Sequence, residues 1–329
     1  MTSSFPPARR AATVAAQAAL LLVVGVVGAL AVAEIGLRLA HFHYQPFPEV
    51  VVGWPDPKVI INDFHPDPDL LWVTRDYTQR LRDAAAGHPA VVFIGDSCVE
   101  FSHYPGLTME RLATLSPSFR TGTKLSVPGW SSEQGRTQLA RDVLPLHPRV
   151  LIVEYGWNDH WDALGPPDAE MHPGRLEVWA AEHFRVVQVY LKARDGIRAH
   201  RDAEPGRRVP LARYRENLLA IARSAMAEGI RVVLVTAPSN HVRGNEPAYL
   251  QARHLRQLSI LVPLHQSYVD ATREAARAAG AWLCDAARAA DDAGDRRQAW
   301  FRHDGIHFTA DGDRAMAALV SECVARAAQ

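Results

Sequence analysis

Ala90-Val91-Val92-Phe93-Ile94 runs directly into Gly95-Asp96-Ser97, and this junction decides the fold. An apolar run without polar alternation describes a strand covered on both faces, the environment of a parallel sheet. Comparable runs recur at Lys124–Val127, Val150–Tyr155, Arg231–Thr236 and Ala281–Cys284. Between them the residue pattern predicts helices over Leu107–Leu115, Ser132–Val143 and Tyr214–Glu228, a long one across Pro247–Ala279, and a last one over Ala310–Ala327. Gly229 stands where a helix stops and Thr309 where the last one is capped. Strands alternating with helices predict a three-layer αβα domain over residues 89–329, a flavodoxin-like, doubly wound parallel sheet of five strands.

Upstream of this domain the pattern changes. From Ala11 to Ala33 no residue is charged. At about 1.5 Å per residue such a helix crosses a bilayer core of roughly 30 Å. Arg9 and Arg10 precede the run, so residues 1–10 are expected in the cytoplasm and residues 11–39 as a single-pass signal anchor of the inner membrane. Ala31-Val32-Ala33 also fits a cleavage site, after which the chain would be secreted; the length of the run favours the anchor. Both readings place the domain outside the cytoplasm. Residues 40–88 carry Pro46, Pro48, Pro55, Pro57, Pro66 and Pro68 with Trp54 and Trp72, and read as an irregular juxtamembrane arm. Phe42 and Tyr44 suit a membrane interface better than His41 and His43 suit a metal.

Composition excludes several classes. The 329 residues balance 36 Lys+Arg against 36 Asp+Glu, so no broad field attracts nucleic acid. At 48% hydrophobic residues the chain is globular rather than disordered. Three cysteines, Cys98, Cys284 and Cys323, make neither a disulfide scaffold nor a zinc knuckle, so the fold rests on an apolar core.

In open parallel sheets, ligands bind beyond the carboxyl ends of the strands. There the sequence has Gly95-Asp96-Ser97, then Pro128-Gly129, then Gly156-Trp157-Asn158-Asp159, and His303-Asp304-Gly305-Ile306-His307 just before the last helix. In this order the four blocks resemble those of the SGNH (GDSL-type) hydrolase family, over residues 89–329 and not the segments before them. Many relatives have Asn a few residues before the Pro-Gly turn, where Lys124-Leu125-Ser126 stands here; the departure bears on the turn and leaves the chemistry intact. The resemblance implies hydrolysis or transfer of acyl groups on esters, without a cofactor or a metal.

The residues make chemical sense beside the resemblance. A serine hydroxyl needs an adjacent base; His307 is the candidate for Ser97, with Asp304 three residues earlier to fix the imidazole tautomer. The backbone N–H groups of Ser97 and Gly129 and the side-chain amide of Asn158 are candidates for an oxyanion hole. Taken singly, Ser97 is a helix cap, His307 a loop histidine and Asn158-Asp159 a turn; as a set at one sheet edge they read as a site. Asp96 and Asp159 read as supports of the loop backbone, and Cys98 as a buried thiol. Trp157, Trp161 and Trp300 are candidate substrate-binding faces, with Trp179 nearby, although each residue is as readily core.

Residues 160–210 form a long insertion in which Leu176–Lys192 is expected as a helix over the pocket. Lys192, Arg194, Arg198, Arg201, Arg207 and Arg208 outnumber Asp195, Asp202 and Glu204, which is a solvated face or a contact for anionic headgroups or glycan. The expected function is an extracytoplasmic serine esterase acting through an acyl-enzyme on O-acyl, first of all O-acetyl, esters of a cell-surface or exported glycan. An O-acyltransferase onto such a polysaccharide and a lysophospholipase-like lipid esterase share the chemistry. A non-catalytic glycan-binding scaffold on the same fold is the alternative of another class, against which the intact motif residues argue.

Overall fold

Each strand of a sheet sends alternate side chains to opposite faces, so an unbroken apolar run must be covered twice. The computed structural model describes residues 7–45, 47, 63–163, 165–199, 206–251 and 254–328. It begins with one long helix, α1 (Pro7–Leu39). An antiparallel hairpin, β1 (Phe64–Asp67) and β2 (Leu71–Thr74), leads into α2 (Tyr77–Gly87). Then come β3 (Val91–Gly95), α3 (Ser97–Glu100), α4 (Tyr104–Leu115), β4 (Gly122–Lys124), α5 (Ser132–Gln138) and β5 (Val150–Glu154). The insertion carries α6 (Arg175–His183) and α7 (Arg185–Ala199). The domain closes with α8 (Leu211–Ala227), β6 (Arg231–Val235), α9 (Leu261–Ala279), β7 (Trp282–Cys284), α10 (Ala286–Asp292) and α11 (Ala310–Ala328).

The five strands pair in parallel in the order β4-β3-β5-β6-β7, the flavodoxin-like order, and the two faces are covered as the apolar runs require. Val92, Ile94, Leu151, Val153 and Leu234 pack against Tyr77 of α2, Leu139 after α5, Ile221 of α8 and Ala275 of α9. Val91, Phe93, Ile152, Val233 and Val235 pack on the other side, against Leu112 of α4, Ala290 of α10 and Val320 of α11.

Three local expectations are corrected. The long helix across Pro247–Ala279 starts only at Leu261, and single 3-10 turns at Ala248–Leu250 and Leu258–Ile260 precede it. Pro263 supplies the reason: a proline lacks the N–H that a helix interior needs and fits only the first turn. The second strand ends at Lys124, although Leu125 and Val127 still donate N–H bonds to the carbonyls of Phe93 and Gly95, at 2.9 and 3.2 Å. Cys284 of β7 and Cys323 of α11 form a disulfide that the sequence did not reveal.

The irregular arm is the largest difference. Pro46, Pro48, Trp54, Pro55 and Pro57 lie outside the described residues, but 64–87 is ordered hairpin and helix, and Leu70, Trp72 and Tyr77 are buried in the main core. The prolines are accommodated because β1 pairs on one side only, where Pro66 costs no central ladder bond, and Pro68 falls in the turn. Trp72 Nε1 donates to the Pro128 carbonyl at 3.0 Å, and Trp130 Nε1 donates to the Trp72 carbonyl at 2.8 Å. The segment read as an arm therefore clasps the Pro128-Gly129 turn.

Trp72→Phe keeps most of the ring but leaves the buried Pro128 carbonyl without its donor, which costs about 1–3 kcal/mol. Trp72→Ala should cost about 3–5 kcal/mol. Urea unfolding measures both; a Phe variant as stable as the parent would show that the indole bond contributes nothing.

Candidate active site

Strand order does the first part of the assembly. Because β3 lies between β4 and β5, the loops after these three strands emerge side by side, carrying Ser97, Gly129 and Asn158. Asp96 is extended and caps α3, its Oδ1 accepting the Cys98 N–H at 2.8 Å, which sets Ser97 at the first position of that short helix. Gly129 has φ of +83°, a conformation that favours glycine, so the turn presents backbone at this point.

The fourth block reaches the same edge from the C-terminal side. Asp304 Oδ1 accepts the N–H groups of Ile306 and His307, at 2.8 and 2.9 Å, and its Oδ2 meets His307 Nδ1 at 2.8 Å. Gly305 makes the turn with φ of +69°, and a Cβ there would lie 2.8 Å from His241 Nε2. That His241 nitrogen donates to the Asp304 carbonyl at 2.8 Å, bracing the turn from behind. Burial pushes the Asp304 carboxyl up, but the His307 side chain and the two N–H donors outweigh it and hold the group at about 2. An ionised carboxylate can only accept, so His307 Nδ1 carries the proton, which in the neutral ring makes Nε2 the acceptor. Nε2 lies 2.9 Å from Ser97 Oγ.

Buried polar groups support this edge. Asn158 donates one amide hydrogen from Nδ2 to Asp96 Oδ2 at 2.8 Å, leaving the second for another acceptor. Asp159 accepts the N–H of Ser132 at 2.9 Å and that of Gly156 at 3.1 Å, locking the third loop to α5. Burial raises Asp159 to about 7 against those donors. Burial also raises the Asp96 carboxyl and pushes the Cys98 thiol well up, so Cys98 is not a reactive thiolate despite following the serine.

The model of the GDSL-like lipase/acylhydrolase family matches residues 93–315, which contain all four blocks and more than half of the chain. The chain belongs to that family. No curated protein matches it. Among solved structures, a lipase/acylhydrolase from Enterococcus faecalis is 17% identical, with 71% of this chain and 94% of that one covered and a TM-score of 0.47. A GDSL-like lipase from Bacteroides thetaiotaomicron is also 17% identical, with 77% and 98% covered and a TM-score of 0.48. The chain is thus an esterase-type acylhydrolase of the GDSL family.

Other expected residues of this GDSL hydrolase are placed differently. Trp157 and Trp161 are only 3% and 4% exposed. Trp157 stacks on His265 at 3.9 Å and Trp161 on His254 at 4.7 Å, so both rings are packed beneath the third loop and offer no open face. Trp300 is partly buried against the α11 side of the core. The helix expected over the pocket is broken at Phe184 into α6 and α7, and its packed side meets Tyr44 and α1. Tyr44 is accordingly buried against α7, its hydroxyl donating to Asp195 at 2.9 Å.

Three arginines of the basic cluster are neutralised by carboxylates of the insertion. Arg208 is buried on Asp168 through two bonds of 3.1 and 2.7 Å, Arg207 pairs with Asp162, and Arg194 pairs with Glu177 and Asp195. Arg201, Asp202 and Glu204 lie outside the described residues. Two rim residues escaped the sequence reading. Phe101 is exposed with its ring 5.8 Å from that of His307, and exposed Tyr249 bonds the Asp304 carbonyl at 3.4 Å. The indirect sign of Phe101 is an apolar residue just after the short helix that Ser97 begins; Tyr249 has none.

Glu154, at the end of β5 and beside β3 in register with Gly95, accepts the Tyr104 hydroxyl at 2.7 Å. Burial raises it to about 8. Between its ordinary value and that one the unfolded chain has lost a proton that the native chain keeps, so stability falls as pH rises. Melting temperature should therefore drop from about pH 5 to about pH 8, and less steeply in Glu154→Gln, which can still accept from Tyr104. Parallel profiles for the two proteins would place the titration elsewhere.

Proposed function

We propose that this GDSL hydrolase is a membrane-tethered serine esterase that removes O-acyl, first of all O-acetyl, groups from a cell-surface or exported glycan. The observation that carries the mechanism is the bonded chain Ser97 Oγ, His307 Nε2, His307 Nδ1 and Asp304 Oδ2, at 2.9 and 2.8 Å. Ser97 Oγ attacks the ester carbonyl carbon while His307 Nε2 takes its proton, and Asp304 steadies the imidazolium. The Ser97 and Gly129 N–H groups and the second Asn158 amide hydrogen serve the oxyanion. The intermediate collapses by breaking the bond to the alcohol, which leaves with the proton from His307. Water then repeats the sequence on the acyl-enzyme, and an acceptor hydroxyl in its place would make the reaction a transfer.

Location and substrate have separate support. Val14–Leu39 is apolar enough to cross a membrane, with mean hydropathy 2.5, and Arg9 and Arg10 favour a cytoplasmic N-terminus. The Cys284–Cys323 bond suits an oxidising compartment outside the cytoplasm. A tether raises the concentration of the site near envelope glycans. Phe101 and Tyr249 flank the triad with exposed aromatic faces of the kind sugars stack on.

A fluorophosphonate should label Ser97, and Ser97→Ala should lose both labelling and turnover of a p-nitrophenyl acetate-to-octanoate series. Persistent labelling of that variant would refute the nucleophile. Preference for acetate, and no gain from an added acceptor glycan, would support deacetylation over lipid hydrolysis or transfer. In Asn158→Ala, kcat should fall on the order of a hundredfold with KM little changed. An unchanged kcat would remove Asn158 from the oxyanion hole.

A further inference from the structure

α7 is amphipathic in the opposite sense to a helix packed on a domain. Its inward side carries Gln188 and Asp195 beside Leu191: Gln188 accepts the Tyr44 N–H at 3.0 Å and donates to the Ala181 carbonyl at 2.8 Å. Its outward side is apolar, with Tyr190 64% and Ile197 58% exposed and Val189 and Ala193 exposed beside them. At 100° per residue these side chains fall within an arc of about 100°. Packing on the domain does not explain such a face.

The neighbouring helix extends it. On α6, Leu176 is 74% exposed, and the exposed rings of Trp179 and Phe184 lie 5.7 Å apart. Both helices are fastened to the end of α1. Glu34 accepts the Val186 N–H at 3.0 Å, Arg38 donates to the His183 carbonyl at 2.7 Å, and Arg38 and Glu34 pair with each other at 2.7 Å. The first charged residues after the apolar run of α1 thus bond the end of α6 and the start of α7. In a helix that crosses a bilayer, that level is the headgroup region.

We infer that α6 and α7 form a platform seated in the lipid interface of the leaflet from which α1 emerges, with Leu176, Trp179, Phe184, Val189, Tyr190 and Ile197 reaching the acyl boundary. The inference rests on the reading of α1 as a membrane span. An apolar face rich in aromatic residues, with Arg185 and Lys192 along one edge of its arc, is the composition that lies in the interface plane. The platform returns to the site. Arg208 is locked to Asp168, and Val209 donates its N–H to the Asp159 carbonyl at 2.9 Å. The depth of the platform therefore sets the height of Ser97 above the lipid.

The test uses the full chain in phosphatidylethanolamine–phosphatidylglycerol liposomes, with a nitroxide on a single cysteine introduced at Val24, Val189, Ile197 or Leu115. The native cysteines do not compete, since Cys98 is buried and the others are bonded to each other. Labels at Val189 and Ile197 should be several-fold more accessible to oxygen relative to a nickel chelate than the label at Leu115, and approach that at Val24. If Val24 is immersed while Val189 and Ile197 behave like Leu115, the platform is overturned and the span stands. An aqueous Val24 label overturns the span and the platform with it. Shielding of Ile197 from both reagents, with dipolar broadening between labels, gives the face to a second copy of the chain and overturns the platform.

Discussion

The hydrogen bond of 2.9 Å between Ser97 and His307 joins residues 210 positions apart, and much of the architecture can be understood as what that distance requires. The serine side is fixed by the sheet, since Asp96 directly follows β3 and caps the helix that Ser97 begins. The histidine side belongs to a loop and needs more. Asp304 closes the turn with two N–H bonds, and His241 holds its carbonyl. Asp313, at the start of α11, accepts the N–H groups of His103 and Tyr104 at 3.0 and 3.1 Å. That last contact caps α4 from across the chain and pulls the C-terminal helix onto the segment that follows Ser97. The disulfide between β7 and α11 secures the other end of the same helix.

The edge where the loops meet is costly for the fold. Asp96, Glu154 and Asp159 are all fully buried there, and an unpaired carboxylate in such surroundings would be prohibitive. Asp96 and Asp159 are satisfied by backbone and amide donors, whereas Glu154 has one bond to Tyr104 and an Oε1 with no partner among the described residues. The raised value of Glu154 follows, because a protonated carboxyl avoids a charge that nothing compensates. Rigidity at Asp96 and Asp159 orients Ser97 and Asn158, and the hairpin and helix over 64–87 hold the Gly129 turn from outside.

What could be read in the sequence divides along a physical line. The sheet and the residues Ser97, Gly129, Asn158, Asp304 and His307 were legible because each sits in a short stretch whose neighbours determine its setting: an apolar run, then a turn. Trp72 was not, because its role depends on a carbonyl 56 positions away, while the local signal around it was proline. Trp157 and Trp161 looked like binding faces from their place in the chain. Their partners, His265 and His254, come from a segment brought under the loop only by the fold. Counting charges over 192–208 failed for the same reason. Asp162, Asp168 and Glu177, which neutralise three of the arginines, lie outside the counted window.

The insertion raises the question of how a segment can leave the third loop immediately after Asn158-Asp159, reach the foot of α1 and return without loosening Asn158. Its base answers it. Asp162 and Arg207 form an antiparallel bridge, Arg208 donates its N–H to the Trp161 carbonyl, and Val209 closes onto Asp159 itself. The buried Arg208–Asp168 pair then ties the neck to Ser131, which caps α5, through a bond of 2.8 Å to Asp168. Breaking such a pair on one side leaves an uncompensated buried charge, which holds the neck shut. The closed neck thereby keeps the geometry of the loop holding Asn158 independent of which side chains α6 and α7 present to their surroundings, while it carries the position of that part to the site as a rigid link.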